Sequence, residues 1–432
     1  TTSEHKYIVY RDGFEEIPAK DLKLGDRIVC ARKLEVNGKK NLKAEVLQRL
    51  SKENFYVKLN SFLTKNFKEK ILGYGIKNLN LSLKHKSFYH GIWQGRYLLS
   101  DLLECGKALK LKEEFIYDNI ESIYYRTGKQ RGQNASSMKL PQDFKDFFYL
   151  AGLFVGDGSG KQYIVGKESL AKIVEKICQK LGFETKIRTY SGKTPEQHTN
   201  FTLEMMLNVL FDYPLKKKSH NVKISEFVWQ SNNEYIAKFL KGYFDTDGCV
   251  EKSRCGVTIS SVSTQMINDL HLLLLRFSCI AIKEKDNTLT LSGNSAINFQ
   301  KKIGFEHKEK LLKLNSLAMK VEGNTVCDKV QVGNQIMLLK NATIKYLAEE
   351  LAFIEITKLE TGYEEVVYDF TIPENHNFIA EGMVIHNTAF TDNLLAASGH
   401  MAAKSAGDLD AGMTTWQHLD EQERLMTVDA AN

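Results

Sequence analysis

No Cys-x-x-Cys pair occurs among the seven cysteines (Cys30, Cys105, Cys178, Cys249, Cys255, Cys279 and Cys327), and no secretory leader precedes them. A disulfide framework and a zinc knuckle therefore both lack their usual sequence basis. A reducing, cytoplasmic setting is the expectation. No apolar run approaches the roughly 20 residues that a membrane-spanning helix needs; the longest uncharged stretches lie around Met205 to Phe211 and Leu272 to Leu275. No membrane partner is expected. Nor does the chain start with Met: it opens Thr1-Thr2-Ser3, which reads as though an N-terminal part were missing.

What is present is a chain of 432 residues, against a usual domain of about 100 to 200, so several domains are expected. With 43% hydrophobic and 26% charged residues it can bury cores, and disorder or a fibre is excluded. The net charge of +6 is unevenly spread: residues 31–320 carry 48 Lys and Arg against 29 Asp and Glu, while residues 1–30, 321–387 and 388–432 carry −1, −7 and −5. A basic block enclosed by acidic ends fits a nucleic-acid-binding insert within a chain that does not otherwise bind nucleic acid. A solvated lysine-rich surface fits the same charge equally well.

Residues 6–30 alternate apolar and polar, with Asp12-Gly13 and Gly25-Asp26 as turns, so short strands are expected there. Phe353 to Ile356, Glu365 to Ile372, Asn377 to Ala380 and Met383 to Ile385 repeat that texture. Between these ends helical periodicity dominates, as in Ser169 to Leu181 and Gln265 to Phe277. From Thr388 the chain turns Ala-, Gly- and Asp-rich, with a helix expected at Thr391 to Ala397.

Inside the central block one motif occurs twice. Phe148-Tyr149-Leu150-Ala151-Gly152-Leu153-Phe154-Val155-Gly156-Asp157-Gly158 is echoed by Phe239-Leu240-Lys241-Gly242-Tyr243-Phe244-Asp245-Thr246-Asp247-Gly248. Each copy reads as an apolar helix that Gly stops, with a carboxylate at its foot. A second helix and a strand-like run are expected after each, the runs being Glu184 to Tyr190 and Ile280 to Lys283. Gly152, Gly156 and Gly242 would let the two backbones approach closely, bringing Asp157 and Asp247 together. Carboxylates so placed repel unless a divalent cation lies between them, and Mg²⁺ prefers such oxygen ligands. Metal-assisted phosphodiester hydrolysis follows from that arrangement.

The paired motif resembles the LAGLIDADG homing endonucleases over about residues 141–320. The resemblance implies two pseudo-symmetric αββαββα repeats, strands lying in the DNA major groove, and Asp157 and Asp247 as catalytic, Mg²⁺-binding acids. The family usually carries a Lys two residues before an Ile-Pro ahead of the second motif; here Val222 holds that place and Ser225 replaces the Pro, with Lys223 one residue along as the candidate. Residues 35–140, with Lys84-His85-Lys86, Trp93 and Arg96, are expected to add DNA contacts, mostly salt-sensitive ones to phosphate.

A second chemistry stands near the C-terminal end, at His386-Asn387-Thr388. An Asn amide can attack its own main-chain carbonyl, forming a succinimide and cleaving the following bond, and an adjacent imidazole can carry the proton. The Thr388 hydroxyl, once in place, is an acyl acceptor. The surrounding blocks resemble the Hint domain of inteins: Val367 to Ile372 with Asn375 to Ala380, then Val384 to Asn387, and at the other end Thr2-Ser3-Glu4-His5 followed by Asp21 to Val29. That resemblance implies that His5 polarises the upstream scissile amide, Asp369 and His376 assist the acyl shifts, His386 and Asn387 carry the cyclisation, and Thr388 is the first downstream extein residue. The block with the initiating Cys or Ser would precede Thr1, so splicing is expected to need a missing N-terminal intein segment and its extein. No cofactor is expected for splicing.

The last segment, Thr388 to Ala396 with Asp420 to Thr427, resembles the start of translation elongation factor 2 in archaea and eukaryotes. By that resemblance Thr388 becomes the Mg²⁺-binding hydroxyl of a G-x-x-x-x-G-K-[ST] loop and Thr427 the switch threonine, with GTP and Mg²⁺ serving only the spliced host and the ribosome as the host's partner.

The expected fold class is mixed: an all-β Hint domain interrupted by an α/β LAGLIDADG endonuclease. Its expected boundaries are a first Hint part at 1–34, a basic insert at 35–140, the endonuclease at 141–320, a linker and C-terminal splicing blocks at 321–387, and host sequence at 388–432. The expected DNA partner is the intein-less host gene. Two rivals stay open, a free-standing LAGLIDADG protein and a decayed DNA binder that neither splices nor cuts.

Overall fold

The computed structural model describes residues 3, 5–11, 13–74, 88–127, 136–216, 218–251, 256–284, 286–322, 329–332, 335–338, 350–360, 362 and 377–386. Two compact units are present, Thr1–Leu34 with Thr325–Asn432, and Glu35–Asn324. Helices and antiparallel sheets share the chain, so its fold is mixed.

The first unit begins with strands β1 (Lys6–Tyr10), β2 (Phe14–Pro18) and β3 (Arg27–Ala31). β1 and β2 form a hairpin, with Tyr10 opposite Phe14. Behind its turn Arg11 grips Asp26 with two guanidinium bonds of 3.0 Å, the bidentate geometry that makes such pairs strong.

The second unit opens with α1 (Lys43–Leu50), β4 (Phe55–Leu59), α2 (Ser61–Tyr74), α3 (Phe88–Gln94), β5 (Arg96–Leu98), α4 (Leu99–Ala108), α5 (Glu113–Asp118) and β6 (Ile120–Tyr125). The strands make an antiparallel sheet in the order β5-β4-β6. β4 buries Phe55, Val57 and Leu59 and leaves Tyr56 and Lys58 half-exposed, the two-residue alternation of a sheet with one covered face.

Two runs of identical element order follow. The first is α6 (Phe144–Asp157), β7 (Gly158–Ser159), β8 (Gln162–Ile164), α7 (Glu168–Lys180), β9 (Lys186–Arg188), β10 (Glu196–His198) and α8 (Phe201–Phe211). Short helices α9 (Lys218–Asn221) and α10 (Glu226–Trp229) lead to the second: α11 (Asn233–Asp247), β11 (Gly248–Glu251), β12 (Gly256–Ser260), α12 (Thr264–Leu275), β13 (Ile282–Lys283), β14 (Thr288–Ser292) and α13 (Asn294–Lys302), after which comes α14 (Lys308–Glu322). Their sheets share one topology, β7-β8-β10-β9 and β11-β12-β14-β13. α6 buries every residue from Phe147 to Val155, as a helix enclosed on all sides must. α7 instead buries only Leu170, Ala171, Val174, Ile177 and Cys178, an apolar stripe of helical period over polar surface.

The chain then returns to the first unit with β15 (Lys329–Val332), β16 (Gln335–Leu338), β17 (Leu351–Glu355), β18 (Asn377–Ala380) and β19 (Met383–His386). One sheet, β17-β3-β1-β19-β18 with β2 beside β1, joins strands from both ends of the sequence. Its small core centres on Val29 and Phe353, flanked by Ile8, Tyr10, Leu351 and Val384. The β18–β19 turn uses Glu381 and Gly382 at φ 52° and 83°, both in the left-handed region that tight hairpin turns require. The expected strand Glu365 to Ile372 and helix Thr391 to Ala397 lie outside the described residues.

Candidate functional sites

α6 and α11 cross where neither helix has a side chain. A Cβ at Gly152 would run into the Phe239 carbonyl and lie 2.9 Å from the Tyr243 nitrogen; one at Gly242 would run into the Tyr149 carbonyl and lie 2.9 Å from the Leu153 nitrogen. Near the helix feet a Cβ at Gly156 would meet Thr246 and lie 3.2 Å from Asp247 Oδ1. Asp157 and Asp247, each the last residue of its helix, are thus brought to the same end of the pair. The glycine after each acid is selected for space and not for handedness: Gly158 has φ −82° and Gly248 φ −74°, but a Cβ at Gly158 would lie 2.7 Å from Tyr213 Oη and one at Gly248 2.6 Å from the Phe244 carbonyl.

A buried polar network holds this end. The Asp245 carboxylate accepts from Tyr149 Oη at 2.7 Å and from the backbone N–H groups of Glu306 at 3.1 Å and His307 at 3.0 Å. In return Lys310, in the first turn of α14, donates from Nζ to the carbonyls of Phe244 at 3.1 Å, Asp245 at 2.7 Å and Thr246 at 3.0 Å. Two helix termini therefore cap each other, and orphan amides and carbonyls on both sides find partners. Burial holds the Lys310 ammonium below the usual lysine range, opposed by the carboxylates of Asp245, Asp247 and Asp157. Asp245 sits above the usual aspartate range because burial outweighs the bonds it accepts.

Lys223 is placed differently. Its side chain is 53% exposed and its Nζ lies 3.1 Å from Asp212 Oδ2, so its charge is engaged by that carboxylate. Val222 is buried, and Ser225 serves as N-cap of α10 by accepting from the Val228 N–H.

Among the described residues no group of three or more His, Cys, Asp and Glu forms a ready-made metal cluster. Two aspartates at one end of the helix pair still suit Mg²⁺, which commonly takes one or two carboxylates and completes its shell with water and substrate phosphate. In the preceding region Trp93 is 65% exposed, with the Lys68 ammonium 3.6 Å from its ring centroid, and Arg96 is exposed. Lys84, His85 and Lys86 lie outside the described residues.

In the other unit Tyr7 pairs in register with Ile385. The strands run antiparallel, so His5, two residues before Tyr7, and His386, directly after Ile385, stand at the same end of the pair. The His5 ring packs edge-on to Tyr7, centroids 5.6 Å apart. Asp369, His376, Asn387, Thr388 and Thr427 lie outside the described residues.

The model of the intein splicing domain matches residues 1–387. The chain belongs to the intein splicing domain family. Elongation factor 2 of Methanopyrus kandleri is 33% identical to this intein chain over 487 residues, aligning with 100% of it and 38% of its own length. A probable translation initiation factor IF-2 of Thermococcus kodakarensis is 26% identical over 411 residues, covering 71% of the intein chain and 35% of its own. The chain thus spans well under half of these relatives. A solved structure titled for mesophilic variants of the homing endonuclease I-DmoI overlaps 37% of this chain and 95% of its own at 16% identity, with a TM-score of 0.29.

Sequence reasoning missed the Asp245 and Lys310 exchange. A signal existed for Lys310, which follows Asp247 at nearly the spacing that separates Lys223 from Asp157.

Proposed function

We propose that this intein, joined to its N-terminal segment, passes the upstream acyl chain from the initiating Cys or Ser to the Thr388 hydroxyl, then cleaves the Asn387–Thr388 bond by cyclisation of Asn387, and carries within it a metal-dependent endonuclease for double-stranded DNA. The host is proposed to be a translation elongation factor GTPase, in which Thr388 and Thr427 afterwards serve Mg²⁺ and nucleotide. The architecture is read as a β-rich Hint domain interrupted by a basic insert (35–140) and the endonuclease (141–320).

For splicing, the carrying observation is that the family match ends at Asn387, the residue whose side chain can close on its own carbonyl. The pairing of β1 with β19 supports a shared site in which His5 polarises the upstream amide and His386 handles the proton of the cyclisation, with Asp369 and His376 assisting the acyl shifts. For cleavage, the support is the glycine-lined crossing that brings Asp157 and Asp247 to one end. A divalent cation held there would supply charge stabilisation and activate water for attack. Asp157 and Asp247 would hold it, Lys310 would steady the Asp247 helix end, and Lys223, occupied by Asp212, would contribute less. The exposed Trp93 and Arg96 would add nonspecific DNA contacts.

The test pairs two assays. Mg²⁺ with a plasmid bearing the uninterrupted elongation-factor gene should yield site-specific cutting that Asp157→Asn abolishes; binding without cutting, unaffected by that change, would favour a decayed DNA binder. Mass spectrometry of the chain supplied with an N-terminal intein segment should show a fragment beginning at Thr388; its absence would favour a protein that does not splice.

A further inference from the structure

The two repeats match strand for strand, yet one matched place differs in chemistry. Gly158 and Gly248 each follow the acid of their helix, and their register partners are Tyr163 and Ile259. The first repeat thus sets a phenol where the second sets an aliphatic chain. Tyr163 is fully buried, with its ring against Phe154 at a centroid distance of 6.0 Å. Its hydroxyl has no hydrogen-bond partner among the described residues. Such a group is costly to bury, and phenylalanine would fill the same space without that cost. Pairing with Gly158, the residue directly after Asp157, and ring contact with Phe154 on the last turn of α6 set Tyr163 beside the foot of that helix; burial first, then the carboxylates of Asp157, Asp245 and Asp247, push the phenol's ionisation up.

We propose that Tyr163 is a positioning residue of the Asp157 half of the site, its hydroxyl donating to the oxygen ligands gathered there when a divalent cation and a DNA phosphate are bound. The register-equivalent Ile259 gives the other half no such donor, so the two DNA strands are cut at unequal rates. This inference rests on the metal-dependent cleavage reading.

The experiment uses the full chain and the variants Tyr163→Phe and Tyr97→Phe. Tyr97 is a second buried tyrosine whose hydroxyl has no partner among the described residues, located on β5 and away from the repeated motif, so it controls for loss of a buried hydroxyl as such. Mn²⁺ binding is followed by calorimetry, and each strand of an end-labelled duplex carrying the uninterrupted insertion sequence is followed separately. Tyr163→Phe is expected to weaken Mn²⁺ binding roughly two- to tenfold, the worth of one hydrogen bond, and to slow one strand more than the other; Tyr97→Phe is expected to do neither. Unchanged Mn²⁺ affinity and strand ratio in Tyr163→Phe, or equal slowing of both strands, would overturn the proposal. A parent chain that neither binds Mn²⁺ nor cuts would overturn the cleavage reading itself, and this proposal with it.

Discussion

Tyr7 and Ile385 are register partners in one antiparallel strand pair, although nearly the whole chain lies between them. The basic unit leaves one strand-built unit and returns to it, with His5 and His386 at a common end of that pair. Splicing chemistry at both junctions needs such a closure, because the bonds to be broken are far apart in sequence.

The helix crossing makes the first prediction. Gly242→Val places a branched side chain against the Tyr149 carbonyl and the Leu153 nitrogen, and overpacking of this kind costs about 1–3 kcal/mol. Thermal unfolding of the variant should show a lowered midpoint for the Glu35–Asn324 unit. Gly73→Ala, with nothing within 4 Å of its Cβ, should instead hold or raise it.

Much of this crossing was legible in the amino acids. The doubled motif announced both helices and both acids, and α7 and α12 fall within about two residues of the helices expected from periodicity. The strands β7, β8, β11 and β12 between them were expected only from the family resemblance and not from the residues themselves, since segments of two to five residues are too short for alternation to register. The Asp245 to Tyr149 bond and the Lys310 cap were hidden for another reason: they join residues far apart in sequence, and only the packed fold brings them together.

Asp26 and Asp245 should titrate with opposite consequences. Arg11's hydrogen bonds hold Asp26 below the usual aspartate range, so its contribution is present above the unfolded value and is lost as pH falls through the lowered one. Asp245, raised chiefly by burial, keeps its proton longer when folded; its contribution is present at low pH and is lost as pH rises through the raised value. Hydrogen exchange should show Asp26→Asn flattening the acid loss of protection in β3. In α11, Asp245→Asn should flatten a loss of protection that develops as pH climbs above the usual aspartate range.

The two lysines should separate in kinetics. Lys310→Met removes three charge-assisted bonds from the α11 terminus, each class of bond being worth about 1.5–3 kcal/mol, and should lower single-turnover DNA cleavage by about tenfold or more. Lys223→Met removes an exposed pair of small expected worth and should change the same rate by less than about threefold.

Salt dependence checks the DNA surface. If Arg96 neutralises one phosphate, Arg96→Ala should reduce the slope of log affinity against log salt by about 0.9, measured by fluorescence anisotropy on a fixed duplex. An unchanged slope would remove Arg96 from the interface.

The central claim is that the intein ends at an asparagine that severs the chain from its host. Intact-mass analysis of the chain incubated with a supplied N-terminal intein segment should reveal a C-terminal fragment starting at Thr388 and a partner ending in the succinimide or asparagine of Asn387, both absent from Asn387→Ala. An uncleaved parent chain, or the same fragment from Asn387→Ala, would contradict the account.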